Sequence, residues 1–274
     1  MAEFTRAAIV YDFDGTLSPN AMQEHTLIPE LGFSDPMKFW KSVKEDNLAA
    51  DGDEILSYMF SLLQHSTVRP SREHFAKHGR ELPLFEGLPE WFNNMNQFAT
   101  SQEIALEHYV ISSGLEEMIS ASPLASHFRH IFASKYRYDK EGHAVWPAAS
   151  INYTTKTQYL FRINKGVLNY WDDRAGNRWI PMDERPIPFE HMIFIGDGDT
   201  DIPAMKMLRY QGGCAIAVFD PTQFKSSGQT KMYNLIAEDR ANYVCPADYS
   251  TNSQLDVVVR GVLGRIARSN GFRE

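Results

Sequence analysis

Ala7-Ala8-Ile9-Val10-Tyr11-Asp12-Phe13-Asp14-Gly15-Thr16-Leu17 is the stretch from which the fold can be read. Its first five residues are continuously apolar rather than alternating, the pattern of a strand covered on both faces, as in a parallel sheet. The strand runs straight into two aspartates and a glycine. In an open parallel sheet ligands bind beyond the carboxyl ends of the strands, so both carboxylates fall where chemistry is expected. Alternation alone would separate the two side chains. A turn at Gly15 lets both of them, or one side chain and one backbone carbonyl, aim into a single crevice.

Further apolar runs are Ile104 to Ile111, His130 to Ala133, Met192 to Ile195, Cys214 to Val218 and, more weakly, Tyr243 to Cys245. Between them lie helix-like segments: Leu88 to Thr100, Leu115 to Ser120, Thr155 to Ile163, Ile202 to Arg209 and Ser253 to Ala267. This alternation predicts an α/β fold with a doubly wound parallel sheet. About ninety residues separate the first two strands, far more than one crossover helix needs. Met37 to Leu48 and Ile55 to His65 read as helices in that interval, punctuated by prolines and glycines. The chain is therefore read as a core of residues 1–18 and 85–274, with a small helical cap domain, residues 19–84, inserted after the first strand. A second excess, residues 166–190, carries Tyr170, Trp171, Trp179, Pro181, Pro186 and Pro188 and suits an aromatic loop or small hairpin packed on its own domain.

A second acidic set, Gly196-Asp197-Gly198-Asp199-Thr200-Asp201-Ile202-Pro203, follows the fourth of these strands. Three aspartates at alternate positions in a glycine-rich turn repel one another unless a cation or hydrogen bonds offset the charge. Hard oxygen ligands of this kind suit Mg²⁺, which takes one or two carboxylates, waters and a substrate phosphate. The two acidic sets sit at separate strand ends that can converge on one metal.

Asp12 to Thr16 resembles the first motif of the haloacid dehalogenase superfamily, and Gly196 to Asp201 its fourth. Tyr109-Val110-Ile111-Ser112-Ser113-Gly114 looks like the second motif, and Lys156, in Thr155-Lys156-Thr157-Gln158, like the third-motif lysine, with Lys165 as the alternative. The resemblance implies a Mg²⁺-dependent phosphatase for a small phosphorylated metabolite, with the family's Rossmann-like core. Asp12 would be the nucleophile that forms an aspartyl phosphate, and Asp14 the acid and base that serves the leaving oxygen and then water. Ser112, Ser113, Gly114 and Lys156 would hold the phosphate, and Asp12, Asp14 by its carbonyl, Asp197 and Asp201 the metal. Asp199 falls between matched positions and reads as a local turn residue. An aspartate at position 14 favours a phosphoester over a halide or a phosphonate. Motif layout and cap position look closest to the phosphoserine-phosphatase-like branch. Where that branch carries an acidic substrate-binding residue, Pro19-Asn20-Ala21 stand here and Glu24 comes only later, so an amino-acid phosphate is not implied. A phosphomutase, or a non-catalytic phosphoacceptor that is read by a partner, would use the same residues.

Lys plus Arg number 27 against 35 Asp plus Glu, a net charge of −8, which argues against a nucleic-acid partner. No run approaches roughly 18 apolar residues and no leader pattern is visible, so a cytoplasmic protein without a membrane span is expected. Cys214 and Cys245 lie in apolar contexts and read as small buried hydrophobes. His74 and His78 have the i, i+4 spacing of a metal pair, but no further ligand follows in sequence, so they read as part of a solvated helix face. His127 and His130 read the same way.

Overall fold

Ala7 to Tyr11 are all fully buried, and their alternation sorts the molecule into two layers. Ala7, Ile9 and Tyr11 belong to one hydrophobic cluster, Ala8 and Val10 to the other. The structure, a computed structural model, describes residues 4–198, 200–223 and 226–270. In chain order its elements are β1 (Thr5–Tyr11), α1 (Leu27–Glu30), α2 (Pro36–Ala50), α3 (Glu54–His65), α4 (Arg72–Arg80), α5 (Glu90–Ser101), β2 (Ile104–Leu115), α6 (Glu116–Ile119) and β3 (His130–Tyr138). There follow β4 (Ala144–Ala149), α7 (Lys156–Lys165), α8 (Asp173–Asn177), β5 (Met192–Gly196), α9 (Ile202–Tyr210), β6 (Cys214–Phe219), α10 (Ser226–Ala237), β7 (Tyr243–Pro246) and α11 (Gln254–Asn270).

The strands form one sheet in the order β4-β3-β2-β1-β5-β6-β7, parallel throughout except for the antiparallel pair β3/β4. On one face, α5 and α11 contribute Trp91, Phe92, Met95, Val259 and Leu263. On the other, α7 and α9 contribute Leu160, Ile163, Ala204, Met205 and Leu208. This is the doubly wound arrangement that the alternation predicts. The chain leaves β1 toward β2 on one side and leaves β5 toward β6 on the other. Neighbouring strands whose continuations diverge open a crevice at their carboxyl ends, and β1 and β5 are that pair here.

Helices α1 to α4 fill the long interval between β1 and β2. Each long one starts on a side-chain cap: Asp35 accepts from Met37 N–H, Asp53 from Ile55 and Leu56 N–H, and Ser71 from His74 N–H. Their apolar residues Phe39, Val43, Tyr58, Met59, Leu62 and Phe75 run on into the same cluster as Ile9, Tyr11 and Trp91. Phase and contact are held by Tyr136 of β3, which stacks on Phe75 at 5.2 Å and donates to Met59 O at 2.6 Å. Helix α4 crosses α6 so closely that a Cβ on Gly79 would lie 2.1 Å from Met118 O. Because that neighbour is backbone, Gly79→Ala is expected to cost about 2 kcal/mol or more, read as a lowered thermal midpoint. Gly261→Ala on α11, where a Cβ meets nothing within 4 Å, is the control and is expected to stabilise by a few tenths to about 1 kcal/mol.

Local details depart from the sequence reading. β4 was not foreseen, because Trp146 is 69% exposed and Pro147 stands in the strand, features an edge position tolerates. Leu115 completes β2 and only Glu116–Ile119 is helical. Residues 166–190 form a loop, one of the two forms expected, with the short helix α8 in it, but Trp171 and Trp179, expected to pack on the domain, are 80% and 79% exposed. His78, expected on a solvated face, is buried against α1, and His127 stacks on Phe92. Both cysteines are buried and unpaired. Among the described residues no helix is long and apolar enough to cross a membrane.

Candidate active site

The N–H of Asp12 donates to Ile195 O at 2.9 Å, which fixes the residue after β1 at the mouth of the β1/β5 crevice. Asp12 is 4% exposed. Its Oδ1 accepts from Phe13 N–H at 2.7 Å, and its Oδ2 meets Lys156 Nζ at 2.8 Å. Lys156 opens α7 and is fully buried; its ammonium also donates to Asp201 Oδ1 at 2.6 Å and Thr200 Oγ1 at 3.1 Å. Asp12, Asp197 and Asp201 each offer an oxygen to one cluster in which all ligand atoms lie within 4.8 Å of one another. Two glycines make room for it. A Cβ on Gly15, whose φ is +69°, would lie 2.9 Å from Asp197 Oδ2, and one on Gly196 would lie 2.2 Å from Asp201 Oδ2.

Asp14 turns away from that cluster. Its Oδ1 accepts from Met22 N–H at 2.8 Å, and a Cβ on Gly114 would approach its Oδ2 at 3.0 Å. Ser112, buried at the end of β2, accepts from Gly114 N–H at 3.0 Å, leaving its own hydroxyl proton to donate. Ser113 Oγ is buried with no hydrogen-bond partner, while Ser113 O accepts from Tyr58 of α3 at 2.7 Å. A cavity of about 200 Å³ lies between the inserted helices and the strand ends, lined by Asp14, Gln23, Trp40, Tyr58, Ser113 and Gly114 among others.

Burial first, then the charge of Asp201 and more weakly of Asp197, pushes the Asp12 carboxyl well above the usual range, with Lys156 pulling the other way. Burial also works against the Lys156 ammonium, but Asp12 and Asp201 outweigh it and hold the group above its ordinary value. Asp14 is pushed up to about 7, chiefly by burial, against the pull of Met22 N–H. The site is therefore one lysine among crowded carboxylates, an all-oxygen donor set that suits a hard divalent cation.

Asp12, Asp14, Ser112, Ser113, Gly114, Asp197 and Asp201 lie at or just beyond these strand ends and the Lys156 ammonium reaches them, whereas Lys165 donates to Gly176 O and Arg178 O of the following loop at 2.7 and 2.9 Å. Asp199 lies outside the described residues. Sequence reading missed Met22, which holds Asp14, and Tyr58, which ties α3 to the Ser113 carbonyl. It also missed Asn152, which donates to Asp53 at 2.7 Å and joins the start of α3 to the loop before Lys156. Only Thr200, already inside the glycine-aspartate turn, carried a local signal.

No protein-family model matches the chain. A protein of Borreliella burgdorferi of uncharacterised function is 27% identical over 229 residues, covering 73% of this chain and 78% of its own. Among solved structures, a probable phosphoserine phosphatase from Vibrio cholerae superposes with a TM-score of 0.60 at 13% identity, over 97% of this chain and 67% of its own. A HAD-family hydrolase from Salmonella enterica serovar Typhi superposes with a TM-score of 0.57 at 14% identity, over 94% and 71%. The chain thus has the fold of HAD-type hydrolases, phosphoserine phosphatases among them.

Proposed function

We propose that the chain is a Mg²⁺-dependent phosphoric monoester hydrolase that acts on a small phosphorylated metabolite through an aspartyl phosphate on Asp12. The observation that carries this reading is the placement of a buried Asp12 carboxylate against Lys156, beside Asp197 and Asp201, at the diverging strand pair. The oxygen-only cluster fits Mg²⁺, with Asp12, Asp197, the Asp14 carbonyl and Asp201, directly or through water, as its holders. When bound, the ion would offset the charge of the phosphoryl group.

The chain's own residues supply the rest. An Asp12 oxygen attacks phosphorus in line while the bond to the leaving oxygen breaks, and Asp14 gives that oxygen its proton. Water then attacks the same phosphorus, Asp14 takes the water's proton, and the bond from phosphorus to Asp12 breaks to free inorganic phosphate. Lys156 and the Ser112 hydroxyl hold phosphoryl oxygens, and the backbone at Ser113 and Gly114 closes the cradle. A cavity of about 200 Å³ under the inserted helices favours a compact leaving group, and those helices would act as the lid that excludes water. The buried free thiols fit a reducing cytoplasm.

The test is phosphate release from a panel of small phosphoesters and an aryl phosphate, with and without Mg²⁺. Turnover restored by Mg²⁺ after chelation supports the reading, and a folded protein inert on the whole panel overturns it. The Asp14 carboxyl also sets a pH dependence. Held at about 7, it is protonated below that pH and spent as an acid above it. With an alkyl ester, which needs the proton, kcat/KM is expected to fall about tenfold per unit above pH 7. An aryl ester, whose leaving group needs little help, is expected to fall less. Parallel profiles for the two esters would remove Asp14 from the acid role.

A further inference from the structure

Glu30, at the end of α1, faces both histidines of α4. Its Oε1 lies 3.4 Å from His74 Nε2 and its Oε2 lies 3.4 Å from His78 Nε2. Both distances exceed ordinary hydrogen-bond lengths. One ligand atom from each of the three residues falls within 4.8 Å of the others, a set that shares no residue with the Asp12 cluster. His78 is 3% exposed, and its Nε2 is buried without a hydrogen bond. The other ring nitrogen, Nδ1, is 2.8 Å from Thr26 Oγ1. A histidine held at Nδ1 by a fixed partner, with a bare Nε2 turned toward a second histidine and a carboxylate, has the form of a metal ligand with its outer support in place.

We propose that Glu30, His74 and His78 form a second metal site, taking a zinc-like divalent transition ion. Two imidazoles and one carboxylate suit such an ion and not Mg²⁺, which prefers oxygen alone. Lys77 Nζ, 3.6 Å from Glu30 Oε2, is the competing cation, and its side chain is 60% exposed, so it can swing into solvent. Glu30 and His74 also line a cavity of about 440 Å³, with His65, Arg69, Ser71 and His143 among others. That space leaves a fourth position for water or an outside ligand. The ion would clamp α1 to α4. Helix α1 follows the segment whose Met22 holds Asp14, and α4 packs on α6, so the clamp would steady the seating of the inserted helices over the strand ends.

The experiment titrates Zn²⁺ into metal-free protein in excess Mg²⁺, which keeps zinc from the carboxylate cluster, with a chromogenic chelator as competitor. The wild type is expected to hold one equivalent, and His74→Ala and Glu30→Gln to bind at least about tenfold more weakly. Asp197→Asn is expected to retain the equivalent. Both weakened positions are partly exposed, and equal unfolding temperatures of the metal-free proteins show that the fold survives. Zinc then raises the unfolding temperature of the wild type and not that of His74→Ala. Absence of binding in excess Mg²⁺, equal binding by the wild type and both variants, or loss in Asp197→Asn alone overturns the site. None of these readouts depends on phosphatase turnover.

Discussion

Asp12→Asn lowers Mg²⁺-dependent turnover of an aryl phosphate by about 10⁴-fold or more, because an amide oxygen is too poor a nucleophile to form the phosphoenzyme. The same substitution is expected to leave the fold intact and to raise the stability of the metal-free protein at neutral pH. The sign follows from the direction of the Asp12 shift. Burial and the Asp201 charge raise its pKa in the folded state, so its favourable contribution is present in acid and is lost as pH rises through the folded value. Above the unfolded-state carboxyl range the buried Asp12 carboxyl costs stability, and the neutral amide removes that cost. A gain of about 1 kcal/mol, shrinking toward pH 4, is the scale expected when a functional strain is relieved. Single-turnover kinetics and thermal unfolding of the same preparation check both halves. Turnover within tenfold of the wild type would exclude Asp12 as nucleophile.

Lys156→Met is expected to abolish turnover and, unlike the change at Asp12, to destabilise the protein. The substitution leaves Asp12 and Asp201, both buried, without their shared cation. Removing one partner of a buried ion pair costs about 3–5 kcal/mol, or roughly 10 °C in a chain of this size. The wild-type ammonium is held above its ordinary value, so its contribution is complete at neutral pH and is lost only in alkali. In the variant the Asp12 carboxyl, raised by burial and no longer drawn down by the ammonium, takes up its proton more readily as pH falls, so the gap between the two proteins should narrow toward acid. Mg²⁺ should then stabilise the variant more than the wild type. A penalty independent of pH and of Mg²⁺ would mean that Lys156 acts through packing alone.

The parts legible in sequence are those whose cause is local. Ala7 to Tyr11, Met192 to Ile195 and Cys214 to Val218 are apolar without alternation because both faces of those strands are covered, and that pattern is carried by the residues themselves. The aspartates after β1 and β5 are legible for the same reason, since each follows its strand directly. What failed depends on neighbours distant in the chain. β4 is a strand because β3 offers it an edge. Trp171 and Trp179 are aromatic enough for a core, yet nothing among the described residues folds over them. His78 needed Thr26 and Glu30, brought from α1 by packing, before its burial could be seen.

The choice between Lys156 and Lys165 divides the two kinds of information. By itself the sequence determined a doubly wound sheet, the positions of two acidic turns at strand ends, and an insertion between the first two strands. All three are periodicity, spacing and glycine placement, which act over a few residues. Both lysines lie on one short helix, and the Thr-rich turn before Lys156 favours it in sequence without showing what either ammonium meets. Tertiary structure decided, because α7 packs with its first turn against the β1/β5 crevice and its last turn against the following loop. The Lys156 ammonium is thereby driven between two carboxylates and the Lys165 ammonium onto two loop carbonyls. The same packing kept the carboxylate of Asp14 apart from that of Asp12, two residues away, by giving it Met22 N–H as a partner.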